Sequence, residues 1–242
     1  MSEAGTLQLT LAFPVRPALG LADFMVTPAN AHAAELVLDP AQWPGGRLAL
    51  VGPAGSGKTH LAHALMADRP ADRVDAAALR PAAAEALASA SLVIVEDADR
   101  LAGLPLAEMR SAEDGLFHLF NLAAAGETKL LVTGREPPVR WPIQSPDLAS
   151  RLQSLTPAEI AVPDDALLSS LVVKLGRDRG LDIEEPAAAY LASRTERSFA
   201  GVARTVALVD TVAALRKRRG VTLALAAAAL KEAGTAEKNA EE

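Results

Sequence analysis

Residues 52–59 fit the phosphate-binding pattern G-x-x-x-x-G-K-[ST] at every fixed position. An apolar run (48–51) precedes them and a helical stretch follows, which is the strand–loop–helix setting that the pattern requires. In such a loop, glycines let consecutive backbone N–H groups turn towards a β-phosphate at a helix N-terminus, where the helix dipole favours an anion. We therefore expect ADP or ATP to be bound by Gly52, Pro53, Ala54, Gly55, Ser56, Gly57, Lys58 and Thr59, with Thr59 also a ligand of Mg²⁺.

Two acidic residues, Glu96 and Asp97, end a second apolar run at 92–95. P-loop proteins hold Mg²⁺ at such a strand end, often through water, and orient the attacking water there. The pattern predicts that Glu96 is a Mg²⁺ ligand and that Asp97 is catalytic. An aspartate is usual at the first of these positions. The extra methylene of Glu96 moves the carboxylate by about a bond length, which we expect to weaken the metal geometry.

Two further polar residues lie at or beyond the end of the third apolar run, 129–133. Thr133 ends that run, and it either orients a water or a phosphate or simply ends a strand. Arg151 lies in a segment that favours a short helix. An arginine there could stabilise a phosphate in a neighbouring subunit, as arginine fingers do, although its spacing alone favours a surface arginine.

The chain alternates between apolar runs and helical stretches up to about residue 162, which predicts a parallel sheet covered on both faces. We expect strands at 48–51, 92–95, 129–133 and 160–162, and helices at 30–38, 59–67 and 114–124. After Pro163 we expect no strand but four helices, near 164–179, 186–193, 200–216 and from 223 onwards. The fold class is thus an α/β core (21–162) with a C-terminal all-α lid (163–233), followed by a disordered tail (234–242).

Composition limits the classes of protein that fit. The formal net charge of −6 argues against a chain that grips nucleic acid by itself. With no cysteine there is no disulfide and no thiolate metal site. We find no signal peptide or membrane-spanning run, and we expect a cytoplasmic protein without membrane contact. We interpret the basic run 216–219 as cations that complement a helix dipole rather than as a phosphate-contact patch.

The ordered set of motifs resembles the AAA+ region of the DnaA family of bacterial replication initiators. The set comprises the phosphate loop, the Glu96-Asp97 strand end, and the segments 117–121, 133–138 and 147–152. The similarity covers about residues 7–230 and is greater to the shortened Hda (HdaA) branch, whose members inactivate DnaA. In favour of that branch, the chain stops after the lid, where initiators continue into a helix-turn-helix domain. It also leaves no room before Phe24 for the initiators' N-terminal domain.

The segment 1–20 contains a match to the short peptide by which Hda proteins bind the DNA polymerase sliding clamp. The residues that match are Gln8, Leu9, Leu11 and Phe13. Gln8 would hydrogen-bond in a polar notch, while Leu11 and Phe13 would fill an apolar pocket, with extended backbone between them. A tucked-in N-terminal strand is the alternative interpretation.

The resemblance implies a negative regulator of chromosomal replication initiation. In a complex with the clamp on DNA, Arg151 would enter the nucleotide site of ATP-bound DnaA as a finger in trans and trigger hydrolysis. The partners are then DnaA and the polymerase III clamp, and DNA is contacted only indirectly. A homodimer that masks Arg151 also fits this interpretation.

Departures from the family pattern concern the protein's own ATPase activity. Where initiators carry a sensor arginine on the third lid helix, this chain has Ala200, so either Arg197 or Arg204 replaces the sensor or the sensor is absent. Of the two, Arg204 is assigned to the nucleotide site. Together with Glu96, this change implies weak or no intrinsic ATPase activity.

Three residues outside the loop resemble the family's base-binding region or adjoin it. Phe24 and Asn30 fall in the adenine-proximal segment, although an ordinary core contact explains Phe24 equally well. His60 directly follows the loop and is assigned to the nucleotide site. With His63 it forms an i, i+3 pair, but the sequence offers no third ligand for a metal.

Two other functions compete with this interpretation. A helicase-loader-like AAA+ ATPase acting on DNA would need basic pore residues and an intact catalytic set, against which the acidic charge and Glu96 argue. A P-loop kinase would need an arginine-rich lid over its substrate. Of the three functions, only the inactivator requires the clamp-binding peptide.

Overall fold

The computed structural model describes residues 24–67, 69–126 and 128–240, with side chains up to residue 232. The predicted clamp-binding segment, 1–20, lies outside the described residues. Within the described part, no helix is both long and apolar enough to cross a membrane.

Five parallel strands form one sheet in the order β2–β3–β4–β1–β5. Their bounds are β1 Arg47–Val51, β2 Asp72–Asp75, β3 Leu92–Glu96, β4 Lys129–Gly134 and β5 Thr156–Glu159. The three central strands confirm the predictions at 48–51, 92–95 and 129–133. The strand β2 was not predicted. The predicted strand at 160–162 is wrong, because the last strand ends at Glu159 and Ile160 only adds one N–H bond to the carbonyl of Val51, at 2.8 Å.

Five α-helices accompany the sheet in this part of the described chain. They are α1 Ala31–Leu38, α2 Lys58–Met66, α3 Pro81–Leu87, α4 Leu106–Ala125 and α5 Pro146–Gln153. The predictions for α1 and α2 are confirmed to within a residue or two. The prediction at 114–124 captured only the second half of α4, and α3 was not predicted.

The two faces of the sheet pack into separate hydrophobic clusters, as β1 shows. Its residues Leu48 and Leu50 face a cluster with α1 and α2, whereas Ala49 and Val51 face a cluster with α3, α4 and α5. All four side chains are essentially fully buried. Because successive residues of a strand point to opposite faces, a fully apolar strand means helices on both sides. The carboxyl ends of the strands are left free to carry polar groups.

Four helices form the lid: α6 Asp165–Asp178, α7 Glu185–Ala192, α8 Phe199–Leu215 and α9 Leu223–Ala240. Asp164 caps α6, its carboxylate accepting from the N–H of Leu167 at 2.7 Å, and Gly180 (φ 74°) follows the end of that helix. Contrary to prediction, two strands occur here, β6 Asp182–Ile183 and β7 Gly220–Val221, which are too short to leave a periodic pattern. Helix α9 continues to Ala240, into the segment 234–242 that was predicted to be disordered.

Candidate nucleotide-binding site

The phosphate loop connects the end of β1 to the start of α2, as predicted. Gly55 and Gly57 have φ angles of 72° and 104°, a region that favours glycine. Thr59, in the first turn of α2, is exposed, whereas the Ser56 side chain is buried and its hydroxyl has no hydrogen-bond partner among the described residues. The loop thus has the shape and the polar groups of a phosphate cradle.

Lys58 folds back onto the loop that precedes it. Its Nζ donates to the carbonyl oxygens of Gly52 at 2.7 Å and Pro53 at 3.0 Å, and only 9% of the residue is exposed. Burial lowers the pKa of Lys58, and the nearby carboxylates of Asp97 and Asp99 offset part of this effect. A bound phosphate would supply the negative charge that this buried ammonium lacks.

Glu96, at the end of β3, forms an ion pair that the sequence did not predict. Its Oε2 accepts from Nη1 of Arg73 on β2 at 2.7 Å. Its other oxygen, Oε1, is buried and has no hydrogen-bond partner among the described residues. One oxygen of the predicted Mg²⁺ ligand is therefore already neutralised by a cation, and the other is available.

Asp97 and Thr133 are brought together by the adjacent strands β3 and β4. The backbone N–H of Asp97, which has φ 57°, donates to Oγ1 of the buried Thr133 at 3.1 Å. A second aspartate, Asp99, accepts from the N–H of Arg135 at 3.0 Å, and its Oδ1 is buried without a described partner. The acidic groups that act on Lys58 are thus Asp97, Asp99 and, more weakly, Glu96.

These groups suit a magnesium ion held mainly by phosphate and water. Mg²⁺ in nucleotide sites uses one or two carboxylates and keeps several waters. The free Oε1 of Glu96 and the exposed hydroxyl of Thr59 meet that requirement. Among the described residues there is no group of three or more histidine, cysteine or acidic side chains that could hold a metal without a nucleotide.

The predicted base-proximal residues line one small cavity between the core and the lid. Phe24 and His60 are in edge-to-face contact, with ring centres 5.4 Å apart, and Phe199 of α8 lies 6.3 Å from His60. Asn30 is buried and fixes the adjacent turn, accepting from the N–H of Thr27 and donating to the carbonyl of Met25. The cavity measures about 30 Å³, so the aromatic side chains must separate to admit a base.

Comparison with known proteins gives the evolutionary relation. No protein-family model matches the chain. The chain is 26% identical to the chromosomal replication initiator DnaA of Thermomicrobium roseum over 96% of its own length, and it spans about half (54%) of that protein. The chain is homologous to DnaA.

Solved structures of DnaA agree with the observed fold. Domain III of Thermotoga maritima DnaA matches 91% of this chain and 98% of its own with a TM-score of 0.74, at 19% identity. AMPPCP-bound DnaA from Aquifex aeolicus matches 78% of this chain and 64% of its own, with a TM-score of 0.63 and 19% identity. The fold is therefore the AAA+ P-loop fold of DnaA domain III, as predicted.

The two arginines considered as lid sensors of this DnaA homologue are engaged elsewhere. Arg197 donates to the carbonyl of Pro163 at 2.9 Å and to Asp165 at 2.6 Å, and so ties the lid to its connection with the core. Arg204 is exposed and pairs with Glu196. Neither lines the cavity beside the loop. The lid instead reaches the loop through its backbone, because the N–H of Phe199 donates to the carbonyl of Gly55 at 3.1 Å.

Arg151 lies on α5, and its guanidinium carbon is 5.0 Å from the centre of the Phe117 ring. The start of α5 is fixed by the buried Glu113 of α4, whose two carboxylate oxygens accept from the N–H groups of Gln144 and Ser145, both at 2.8 Å. Arg151 is not among the charges that act on Lys58. It is held on a short helix that the core anchors.

Sequence reasoning missed four residues: Arg73, Asp99 and Phe199, which shape this site, and Glu113, which anchors α5. Only Asp99 had a signal, since it follows the predicted acidic pair by two residues. The other three act through partners 23 or more positions away in the chain, as the Arg73–Glu96 and Glu113–Gln144 contacts show.

Proposed function

We propose that this protein is a nucleotide-binding AAA+ regulator that inactivates DnaA. It docks on the DNA polymerase III sliding clamp and stimulates ATP hydrolysis by DnaA through Arg151. The observation that best supports the proposal is the setting of Arg151. The Arg151 guanidinium stacks on Phe117, and Glu113 anchors the helix that carries Arg151. Because the arginine is already ordered, less conformational entropy is lost when it enters a partner's site.

The ligand of the loop is ADP or ATP. Support comes from the phosphate cradle and from the AMPPCP-bound Aquifex aeolicus DnaA, since AMPPCP is an analogue of a nucleoside triphosphate. Thr59 and Glu96 are the residues that would hold Mg²⁺, which when bound neutralises the charge of the β- and γ-phosphates. Asp97 and Thr133, linked at 3.1 Å, would position a water or a phosphate oxygen at the end of the sheet.

The protein's own hydrolysis of ATP is weak or absent in this proposal. The Glu96 carboxylate is partly neutralised by Arg73, and both arginines considered as lid sensors are engaged elsewhere. The nucleotide then serves mainly to hold the core against the lid. Rapid turnover of ATP by the isolated protein would contradict this part.

Clamp docking is assigned to Gln8, Leu9, Leu11 and Phe13, and rests on the sequence alone. A Leu11→Ala/Phe13→Ala variant is expected to lose both clamp binding and stimulation of DnaA, while it keeps its affinity for nucleotide. If the variant binds the clamp as tightly as the intact protein does, these residues are not the clamp-binding peptide.

The test of the main proposal is phosphate release by ATP-loaded DnaA, with clamp on DNA and this protein either intact or as Arg151→Ala. We expect the intact protein to accelerate hydrolysis and the variant to lose about 10³-fold or more of that acceleration. The control is Arg140→Ala, which removes an exposed arginine that pairs with Glu136. An unchanged nucleotide affinity shows that each variant is folded. If the intact protein gives no acceleration, the proposal fails.

An initiator-type role is the second candidate, favoured by the similarity to a DnaA initiator along 96% of the chain. In that case the protein itself would assemble on DNA with ATP, and Arg151 would act on neighbouring copies of the same chain. ATP-dependent assembly of the protein alone on DNA would favour this role over the regulator.

A further inference from the structure

The basic run 216–219 lies in the connection between α8 and β7 of the lid, and the structure adds to its interpretation. Helix α8 ends at Leu215, and its last turn contains no basic residue. The four cations follow the helix, in the connection to β7, and all four are exposed. Arg216 is the C-cap residue, and the other three cations follow it, so all four lie at the C-terminal end of the helix and are exposed to solvent. We refer to residues 216–219 as the basic tip.

The backbone at the basic tip is held in a conformation that disfavours the residue present. Lys217 has φ 53°, and only one other non-glycine residue of the described chain, Asp97, has a positive φ. The N–H groups of Lys217 and Arg218 close the helix end by donating to the carbonyls of Ala214 and Ala213, at 3.0 and 2.9 Å. Helix ends of this kind usually place glycine where Lys217 stands. A lysine here keeps a positive charge at a cost in conformational energy.

The basic tip is also held by hydrogen bonds and an ion pair. The N–H of Asp182 on β6 donates to the carbonyl of Arg219 at 2.9 Å, and the Arg219 side chain donates to the carbonyl of Gly180. Arg216 pairs with Glu232 at 2.6 Å. Lys217 and Arg218 form no ion pair with any residue that the structure describes.

Two hollows flank Arg218 on the surface. One, of about 510 Å³, is lined by Arg216, Arg218, Thr222, Ala224 and Leu225. The other, of about 360 Å³, is lined by Leu181, Asp210, Ala214, Lys217, Arg218 and Arg219. Each is wide enough for a phosphate group, and a single carboxylate, that of Asp210, lines them.

We propose that the basic tip contacts the phosphodiester backbone of duplex DNA. Guanidinium groups match phosphate oxygens in geometry and charge, and four adjacent cations on a hydrogen-bonded turn can follow successive phosphates. This contact goes beyond the proposed function, in which DNA is bound only by the partners. Because the chain carries a net charge of −6, we expect the contact to be weak and local, and useful chiefly when the partners already hold the protein near DNA.

An anionic membrane is the competing ligand, since Leu215 beside the basic tip is 78% exposed. Binding to a membrane surface requires a wide apolar helix face beside the cations. Here the cations occupy a single turn between α8 and β7 and not the face of a helix. The observations favour DNA.

The size of the effect follows from counterion release. Each phosphate that is neutralised contributes roughly 0.9 to the slope of log K against log salt. Four contacts give a slope of about −3.6, and an affinity that falls about 150-fold between ~50 and ~200 mM salt.

The test is fluorescence anisotropy of a short labelled DNA duplex with the isolated full-length protein, without DnaA or clamp. The variant is Lys217→Gly/Arg218→Ala, and the control, Arg140→Gln/Arg194→Gln, removes the same charge elsewhere. We expect the variant to bind about 100-fold more weakly at ~50 mM salt, with a slope shallower by about 1.8. The control is expected to retain most of the affinity. Because glycine suits the conformation of residue 217, the variant's Tm is expected not to fall on account of that substitution.

Two outcomes would overturn the proposal. One is DNA binding that is equally weak in the variant and the control, or unchanged in the variant. The other is binding to vesicles containing anionic phospholipid that is lost in the variant, with no binding of DNA by the intact protein. Neither outcome affects the proposal that Arg151 stimulates ATP hydrolysis by DnaA. The phosphate-release assay that tests it measures hydrolysis and not contact between this protein and DNA.

Discussion

Glu96 shows how one extra methylene changes the contacts of a carboxylate that we propose as a ligand of Mg²⁺. Its longer side chain allows Oε2 to reach Arg73 on the neighbouring edge strand while Oε1 remains buried. The strand register pairs Asp75 with Glu96, so Arg73 lies two residues back on the same face of β2. If Mg²⁺ binds at this position as proposed, Arg73 competes with it for the carboxylate.

Removal of Arg73 is expected to make nucleotide binding more dependent on Mg²⁺. In Arg73→Ala the Glu96 carboxylate is left uncompensated, so its electrostatic attraction for a bound divalent ion increases. The measurement is the ratio of nucleotide Kd values in EDTA and in Mg²⁺, which should be larger in the variant than in the intact protein. Arg69→Ala is the control, since that exposed arginine donates to the Leu38 carbonyl instead. Equal ratios in all three proteins would show that Arg73 does not compete with the metal.

Lys58 is expected to make stability depend on alkaline pH. Its pKa in the folded, nucleotide-free protein lies below the ordinary value of about 10.5, because burial disfavours the charged form. Between those two pKa values the unfolded chain binds more protons, so the free energy of unfolding contributed by this group rises with pH. Urea denaturation across this window should therefore show the intact protein gaining stability relative to Lys58→Met. Parallel pH profiles would contradict the prediction.

Helix α5 illustrates how an element holds in place the side chain that we propose as an arginine finger. Its first turn is capped by Ser145, and the preceding backbone is fixed by two bonds to the buried carboxylate of Glu113. Arg151, one and a half turns further on, stacks on Phe117 of the same helix α4 that carries Glu113. Helix α4 thus positions both ends of the short helix.

Replacement of Glu113 by glutamine is expected to destabilise the protein and to weaken the action of Arg151. Glutamine keeps one acceptor, and its amide leaves either the N–H of Gln144 or that of Ser145 without a partner. We expect a loss of about 1–3 kcal/mol in the free energy of unfolding. Stimulation of DnaA should fall, with the affinity for nucleotide unchanged.

The matched control for this experiment is Glu108→Gln, an exposed position on the same helix. Urea denaturation of both variants separates the loss of the two buried bonds from a general effect of removing a charge. A Glu113 variant as stable as the control would mean that the two N–H groups find other partners.

The strands also show which elements a sequence pattern can reveal. Strands β1, β3 and β4 are buried on both faces, and their continuous apolar runs predicted them. The strands β2 and β5 are the sheet edges. An edge strand tolerates polar residues and proline, as in Asp72–Asp75 and at Pro157, so the pattern is lost there. The more apolar segment 160–162 was therefore predicted as the strand instead of 156–159.

At the scale of the whole molecule, the core and the lid meet at the nucleotide site. Phe24 packs with the core cluster and Met25 with the lid cluster, so the chain passes between the two at the cavity. Across that boundary, Gly55 lies against Ser198, and Arg197 reaches Pro163. The loop and the acidic strand end were predictable because each is contiguous in sequence. The lid contact was not, because it joins residues more than 140 positions apart.

The loop–lid contact leads to a prediction about coupling. A Cβ on Gly55 would lie 2.3 Å from the Cβ of Ser198, and the φ of 72° adds backbone strain, so Gly55→Ala must push the start of α8 away from the loop. The bond between the Phe199 N–H and the Gly55 carbonyl would then be lost.

In the intact protein, nucleotide at ~100 times its Kd adds about 2.7 kcal/mol to the free energy of unfolding. Bound nucleotide should also slow the hydrogen exchange of the backbone N–H groups at the start of α8. In Gly55→Ala we expect that protection to disappear, even at nucleotide concentrations that saturate the loop. Gly103→Ala is the control, because no atom lies within 4 Å of the added Cβ there. If Gly55→Ala and Gly103→Ala show the same nucleotide-dependent protection of α8, the lid does not sense the nucleotide through this contact.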